Sequence, residues 1–281
     1  MKKAASFALG CKVNQYESEA IAELFAEKGY EIVGIDEEAD VYVINTCTVT
    51  NFGDKKSRQL IRKVKRQNEN AIVAVVGCYA QTAPKELMEI AGVNLVIGTK
   101  DRAQIVEMVE QYDRANGVEN HVSDIMKERV FEPLSIQKLA NRTRAYLKIQ
   151  DGCSQYCSYC IIPYARGPIR SREPQEVVAE VKRLAKNGFK EVVLTGIHVA
   201  SYGKDRRDTS LLDILKQVHE VEGIERIRFS SIEPNVVTEE FAQTMAALPK
   251  VCDHFHLSLQ SGCDETLERM NRRYRSGEYR E

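Results

Sequence analysis

Three cysteines, Cys153, Cys157 and Cys160, stand in the stretch DGCSQYCSYC at spacing C-x3-C-x2-C, just after the apolar run of RAYLKIQ. Structural zinc sites and ordinary iron–sulfur clusters close their coordination with four protein ligands, whereas a catalytic metal site keeps one position for a substrate. Three thiols in one loop therefore suggest a metal centre with an open position. The alternatives are a zinc loop whose fourth ligand lies elsewhere, or cysteines that are merely buried; the spacing at a strand end disfavours both.

A second set of three is spread along the first third of the chain. Cys11, Cys47 and Cys78 each close an apolar run that reads as a strand: ASFALGC, VYVINTC and AIVAVVGC. In an open parallel sheet the carboxyl ends of the strands face the ligand crevice, so these thiols would meet on one edge. Free cysteine is also a common core residue, but the repeated placement argues for a shared role. Cys252 and Cys263 lack such a setting and read as packing or incidental residues. His254 and His256 alternate along the last expected strand and share a face. Neither has a spaced partner for a metal site, and both read as hydrogen-bonded histidines.

The elements that must position these groups follow from hydrophobic periodicity. Strands are expected at 4–9, 41–46, 72–77 and 94–97, and helices at 17–29, 54–68, 82–91 and 101–114. The alternation describes an N-terminal α/β domain with an open parallel sheet over residues 1–115. Residues 116–143 are polar and weakly periodic and read as a linker. A second series over 144–281 places strands at 144–150, 190–195, 226–231 and 254–260, and helices at 174–187, 210–221 and 238–247, the last with Thr238 as its N-cap. Active sites of β/α barrels are built from the loops after the strands. Here those loops are the cysteine loop, TGIHVASYG, SIEPN and QSGC. Four strand–helix units do not close a full barrel, so the expectation is a partial, truncated barrel whose last strand is an unpaired edge.

Composition bounds the rest. A chain of 281 residues with 43% hydrophobic residues supplies enough core for two domains. No apolar run approaches the roughly 18 residues of a membrane span, and the N-terminus lacks the pattern of a signal peptide. The expected address is cytoplasmic, where eight cysteines stay reduced and serve as ligands, reactive groups or core fillers. A formal net charge of −1 gives no global attraction to polyanions, so nucleic acid would have to use local patches. Two are present: Lys55, Lys56, Arg58, Arg62, Lys63, Lys65 and Arg66 in one helix, and Arg272, Arg273 and Arg275 around Tyr274. Such runs are more often solvated faces.

The segments GCKVNQYES, INTCTVT, VVGCYAQ, IQDGCSQYCSYCIIPYARGPIRSR, LTGIHVASYG and LSLQSG resemble, along essentially the whole chain, the methylthiotransferase family of radical S-adenosylmethionine enzymes. The opening GCKVNQYES resembles the branch acting on threonylcarbamoyladenosine in tRNA more than the branches acting on isopentenyladenosine or on a ribosomal-protein aspartate. The resemblance implies that Cys153, Cys157 and Cys160 hold three irons of a [4Fe–4S] cluster whose fourth iron chelates S-adenosylmethionine. It implies likewise that Cys11, Cys47 and Cys78 hold an auxiliary [4Fe–4S] cluster whose open iron carries the sulfur to be inserted.

By the same resemblance, Tyr159 lines the adenine side of the cosubstrate, and Thr195 and Gly196 form the turn that binds its amino group. Arg170 and Arg172 are candidates for its carboxylate or for a substrate phosphate. A radical would take hydrogen from carbon 2 of the adenine, because an aromatic C–H is too weak an acid for a side-chain base, so no catalytic acid or base is expected. The implied partners are the anticodon loop of tRNA and an external electron donor. The family also carries a small C-terminal RNA-binding barrel, the TRAM domain, which this sequence does not show; weak, salt-dependent tRNA binding is the expectation. The alternative outside this chemistry is a non-enzymatic, metal-stabilised RNA-binding module.

Overall fold

A computed structural model describes residues 1–48, 51–136 and 144–280, without the side chains of residues 51–54. The chain divides into two compact units, one formed by Met1–Glu128, Glu132–Ile136 and Tyr164–Gly167, the other by Arg129–Phe131, Gln137–Pro163 and Pro168–Glu281.

In the first unit the described strands are β1 (Lys3–Ala8), β2 (Glu31–Ile32), β3 (Val41–Thr46), β4 (Ile72–Gly77), β5 (Leu95–Ile97) and β6 (Glu119–His121). They form one parallel sheet in the order β2-β1-β3-β4-β5-β6. All six residues of β3 are buried, as expected of a central parallel strand covered on both faces. Successive side chains divide between two cores. Tyr42, Ile44, Val73 and Val75 pack with Ile61 and Val64 of helix α2 (Asn51–Gln67). Val41, Val43, Ala74 and Val76 pack with Ile21 and Phe25 of α1 (Lys12–Glu27) and with Ile105, Val106 and Val109 at α5 (Ile105–Gln111).

Several boundaries differ from the sequence expectation. Helix α1 starts at Lys12 rather than at 17, with Cys11 as its N-cap. The helix expected at 82–91 is two short pieces, α3 (Cys78–Thr82) and α4 (Pro84–Met88), because Pro84 cannot continue the helix before it and instead opens a new one. The helix expected from 101 begins as a 3-10 turn, Arg102–Gln104. Strand β6 lies within the stretch expected as a linker; its sequence ENH is short, polar and only partly buried, so it leaves no apolar signature. Leu134 and Ile136 of the same stretch are also buried. Residues 137–143 of it lie outside the described residues.

The second unit carries β7 (Ala145–Asp151), β8 (Arg170–Ser171), β9 (Glu191–Gly196) and β10 (Arg226–Phe229) in the order β10-β9-β7-β8, with β8 antiparallel to β7 and the other pairs parallel. Helices α7 (Pro174–Lys186) and α8 (Leu211–His219) bury Val177, Val181, Leu184, Ile214, Leu215 and Val218. The chain also forms the short helix α6 (Ile162–Arg166). Thr238 caps α9 (Glu239–Ala246), its hydroxyl accepting from the Phe241 amide.

The strand expected at 254–260 is not formed. Only isolated parallel bridges, Ile227 to Val251 and Ile232 to Leu257, tie this segment to the β10 region. Between them Phe255 packs with Phe229 and Phe241, at 6.1 and 6.0 Å between ring centroids. His254 and His256 are consequently exposed, and His256 Nδ1 lies 2.7 Å from Ser231 Oγ. The unit closes with α10 (Asp264–Arg269) and α11 (Ser276–Arg280).

Gly77 ends β4 with φ +96°, and a Cβ there would lie 2.3 Å from Asn45 Oδ1 and 2.7 Å from the Thr46 carbonyl oxygen. Gly77→Ala should lower the urea stability of the metal-free protein by roughly 2–4 kcal/mol, because left-handed strain and overpacking add at one site. An unchanged urea midpoint by far-UV circular dichroism would contradict this placement.

Candidate functional site

In the first unit, sheet register brings three cysteines to one edge. Thr46 pairs with Gly77, so Cys47 and Cys78 are the next residues beyond the ladder on neighbouring strands. Cys11 follows β1, which lies on the other side of β3, and takes an extended conformation at the α1 N-cap. The strand order reverses between β1 and β3, the place where open α/β sheets bind ligands. Gly10 has φ +99°, and a Cβ on it would lie 2.7 Å from Cys47 Sγ; glycine is what lets this loop close against the cysteine. Cys47 and Cys78 are buried whereas Cys11 is an exposed residue whose sulfur is nonetheless partly desolvated, so the set is open on one side.

A buried polar lattice underlies these thiols. The Arg166 side chain is fully buried; its Nε donates to Cys78 Sγ at 3.1 Å, Nη1 to Glu17 Oε1 at 2.5 Å, and Nη2 to Asn14 Oδ1 at 2.6 Å. Asn14 Nδ2 in turn donates to the carbonyls of Leu9 and Thr46, and Cys11 Sγ lies 3.6 Å from Asn14 Oδ1. The second oxygen of Glu17 meets Arg102 Nη1 at 2.5 Å, and Arg102 also binds Glu132. Burial raises the Cys11 and Cys78 thiols above their ordinary value, each is raised further by a neighbouring cysteine, and the Arg166 charge pulls both down.

In the second unit, the other three cysteines follow β7 in a loop that needs left-handed backbone at Gly152 and Tyr156. The Cys160 amide donates to the Cys157 carbonyl, and all three side chains are partly exposed. Burial pushes the Cys153 thiol up to about 11, with the charges of Cys160 and Cys157 adding to the rise and a backbone hydrogen bond at Gln155 opposing it.

A second arginine–glutamate pair stands here. Arg272 Nη1 donates to Cys157 Sγ at 3.1 Å, and its Nη2 meets Glu233 Oε1 at 2.7 Å. The other Glu233 oxygen is 3.0 Å from His198 Nε2 and accepts from Gln155 Nε2 at 3.2 Å. Burial opposes the charge on Glu233, but His198, Arg272 and Lys204 together hold its carboxyl below the usual range.

Of the other residues named from the sequence, Tyr159 is 54% exposed between two cysteines, and Thr195 is buried at the end of β9. Gly196 closes on β7, since a Cβ there would lie 2.8 Å from Gln150 Oε1, the atom that accepts from the His198 amide. Arg170 and Arg172 are buried rather than solvated. Arg170 meets Asp151 at 3.6 Å, and Arg172 meets Glu180 at 2.6 Å with its guanidinium over the Phe131 ring. Both arginines thus have acidic partners inside the unit, with Arg170 sharing Asp151 with Lys148, which lies 2.6 Å from it.

Glu17, Asn14, Arg102, Arg166, His198, Glu233 and Arg272 went unnoticed in the sequence as members of these sites. The available signals were Arg166 in YARGP, a few residues beyond the cysteine loop, and Glu233 in SIEPN at a strand end.

Cysteine triads of this kind are chemically suited to iron–sulfur ligation as well as to zinc. A cluster spreads its irons over several corners, each taking one thiolate. One solvent-facing side in each set suits a group that must also receive a non-protein ligand.

Residues 3–98 match the family described as uncharacterized protein family UPF0004, and residues 147–281 match the radical SAM superfamily. The threonylcarbamoyladenosine tRNA methylthiotransferase MtaB of Bacillus subtilis is 50% identical over 275 residues, 98% of this chain and 61% of that protein. The protein of the same name from Aquifex aeolicus is 42% identical over 99% of this chain and 68% of its own length. The chain belongs to the radical S-adenosylmethionine methylthiotransferase family. It spans about three fifths of the Bacillus subtilis relative. The fold of this family member is also similar to the radical S-adenosylmethionine methyltransferase TsrM of Kitasatospora setae. The TM-score is 0.67 at 17% identity, covering 99% of this chain and 64% of that one.

Burial raises the Cys11, Cys78, Cys153 and Cys160 thiols, in contrast to the exposed Cys263, whose thiol is lowered by hydrogen bonds from the Thr266 and Glu265 region at the start of α10. In metal-free protein at neutral pH, iodoacetamide should alkylate Cys263 first, while Cys153 reacts slowly and accelerates up to about pH 11. Folded Cys153 keeps its proton to higher pH than the unfolded chain does. Its contribution to stability is therefore complete below the ordinary thiol range and is lost as pH rises from about 8.5 toward that folded value. Peptide mass mapping of the alkylated sites against pH checks the order, and early labelling of Cys153 would overturn it.

Proposed function

We propose that this chain carries the cluster-binding machinery of a tRNA methylthiotransferase that places a methylthio group on carbon 2 of N6-threonylcarbamoyladenosine at position 37 of the anticodon loop. The observation that carries the reading is the pair of three-cysteine sites, each open to solvent on one side, in a chain that matches relatives named for this activity over nearly its whole length. Residues 1–115 then form the methylthiotransferase domain and residues 144–281 the S-adenosylmethionine domain. Cys153, Cys157 and Cys160 would hold one [4Fe–4S] cluster and leave a corner for S-adenosylmethionine; Cys11, Cys47 and Cys78 would hold the second. When bound, the clusters supply the electron that cleaves S-adenosylmethionine and the sulfur that is transferred.

The chain's own residues bind, orient and shield. Tyr159 offers an exposed ring for the adenine of the cosubstrate, and the close approach of Gly196 to Gln150 leaves the Thr195–Gly196 backbone to present polar groups to the amino acid end. Burial of Cys47 and Cys78 keeps solvent from the inner side of the auxiliary site. An external donor would supply the electron for that cleavage, and a reducing cytoplasm is the compartment in which such cysteines stay reduced.

For the RNA, helix α2 lines a groove of about 540 Å³ with Lys56, Arg62, Lys63 and Arg66 against Phe7 and Leu9, suited to phosphate contacts. No described helix is long and apolar enough to cross a membrane.

After anaerobic reconstitution, replacing Cys153, Cys157 and Cys160 by Ala should remove about half the iron and abolish cleavage of S-adenosylmethionine, each triad holding one cluster. Replacing Cys11, Cys47 and Cys78 should remove the other half, preserve cleavage and stop formation of methylthiolated adenosine in tRNA. Iron assay, 5′-deoxyadenosine release and mass spectrometry of digested nucleosides read the three outcomes. An N-terminal triple variant with full iron would refute the auxiliary site.

A further inference from the structure

Each cysteine triad has an arginine, fully buried in one and with a side chain only 7% exposed in the other, that donates an N–H to one of its sulfurs and is held from behind by a buried glutamate. Arg166 does so at Cys78, 3.1 Å away, held by Glu17; Arg272 does so at Cys157, also 3.1 Å away, held by Glu233. The two motifs lie in different units and share no residue, so the repetition is a property of the sites. Burial of a guanidinium is expensive, and a purely structural ion pair needs no sulfur in its first layer of neighbours. Arg166 turns Nε to the thiol and both Nη atoms to the carboxylate, while Arg272 turns Nη1 to the thiol and Nη2 to the carboxylate, with the Tyr274 hydroxyl also accepting from Nε and Nη2.

We infer that Arg166 and Arg272 are positioning residues that set the reduction potentials of the two clusters, each through a charge-assisted N–H···S hydrogen bond whose geometry its glutamate fixes. Hydrogen bonds to ligand sulfur and nearby positive charge stabilise the more negative, reduced cluster, and so raise its potential. Glu17 and Glu233 act in the opposite sense by partly compensating that charge. Arg166 also spans Cys78 and, through Asn14, the neighbourhood of Cys11, so it holds two ligands of one site in register.

This inference rests on the reading of the triads as cluster sites, and the experiment separates the two. Full-length chain lacking Cys153, Cys157 and Cys160 is reconstituted so that only the auxiliary cluster remains, and its potential is measured by redox titration followed by electron paramagnetic resonance. Arg166→Gln should shift the potential downward and change the reduced-state spectrum. Glu17→Gln, which removes the counter-charge, should shift it upward; Arg166→Lys should lie between wild type and Arg166→Gln. In the complementary background lacking Cys11, Cys47 and Cys78, Arg272→Gln should lower the potential of the remaining cluster, and Arg166→Gln should leave it unchanged.

Opposite signs for Arg166→Gln and Glu17→Gln are the signature that loss of packing alone does not produce. If Arg166→Gln holds no cluster, Arg166→Lys and Glu17→Gln decide. Unchanged potentials at full iron loading, or shifts of the same sign, overturn the inference and leave the cluster sites standing. Absence of iron from the unmutated parent would refute the cluster reading itself.

Discussion

The carboxylate of Glu17 is the constraint on which the first unit depends. It is fully buried between two fully buried guanidinium groups, Arg166 at 2.5 Å and Arg102 at 2.5 Å. Three charges taken out of water repay their desolvation only when every one is paired, and removing one partner of such a set costs roughly 3–5 kcal/mol. The arrangement therefore does not tolerate partial formation. It joins segments separated by more than a hundred residues of sequence: α1 carries Glu17 and Asn14, the turn after β5 carries Arg102, and the segment Tyr164–Gly167 carries Arg166. Asn14 extends the lattice to the carbonyls of Leu9 and Thr46, which end the two strands on either side of the sheet's switch point. Ionic pairing thus fixes the edge where hydrophobic burial alone would leave the loop ends free to choose.

The second unit uses the same device with different parts. Glu233, delivered by the loop after β10, gathers Arg272, His198 and Gln155, and each of these belongs to a different loop. Gln155 lies inside the cysteine loop, while His198 follows the Thr195–Gly196 turn. Gln150, at the end of β7, accepts from the His198 amide and so links the first two loops independently. Site geometry in both units is consequently carried by side chains anchored below the cysteines, which leaves the outer side of each set available to a ligand.

What was legible in the sequence followed from strong, local signals. The spacing of Cys153, Cys157 and Cys160 and the apolar runs ending near Cys11, Cys47 and Cys78 needed only periodicity and strand polarity, and the sheet puts the ends of those three runs on one edge. Short or polar elements left no such trace: β2 and β6 have too few apolar residues, and Pro84 divides an apparently continuous helix. The expected strand at 254–260 had alternating apolar residues, but Phe255 satisfies its burial in an aromatic cluster, with only isolated bridges around it. Buried charge was the least legible feature. Arg170 and Arg172 read as candidates for a cosubstrate carboxylate or phosphate, Arg272 as part of a basic patch, and Arg166 stands out in no pattern, because their partners, Asp151, Glu180, Glu233 and Glu17, are remote or lie on another element, and a single sequence does not reveal such pairs.

The central claim is that two separate three-cysteine sites each hold a cluster with one iron not bound by protein. Mössbauer spectroscopy of the reconstituted, unmutated protein tests it directly, because an iron that gains nitrogen and oxygen ligands shifts away from its thiolate-bound neighbours. The account predicts about eight irons per chain in two [4Fe–4S] clusters, with one iron of one cluster, and of that cluster only, changing its isomer shift when S-adenosylmethionine is added. A single cluster, tetrahedral zinc in either site, or a spectrum indifferent to S-adenosylmethionine would contradict it.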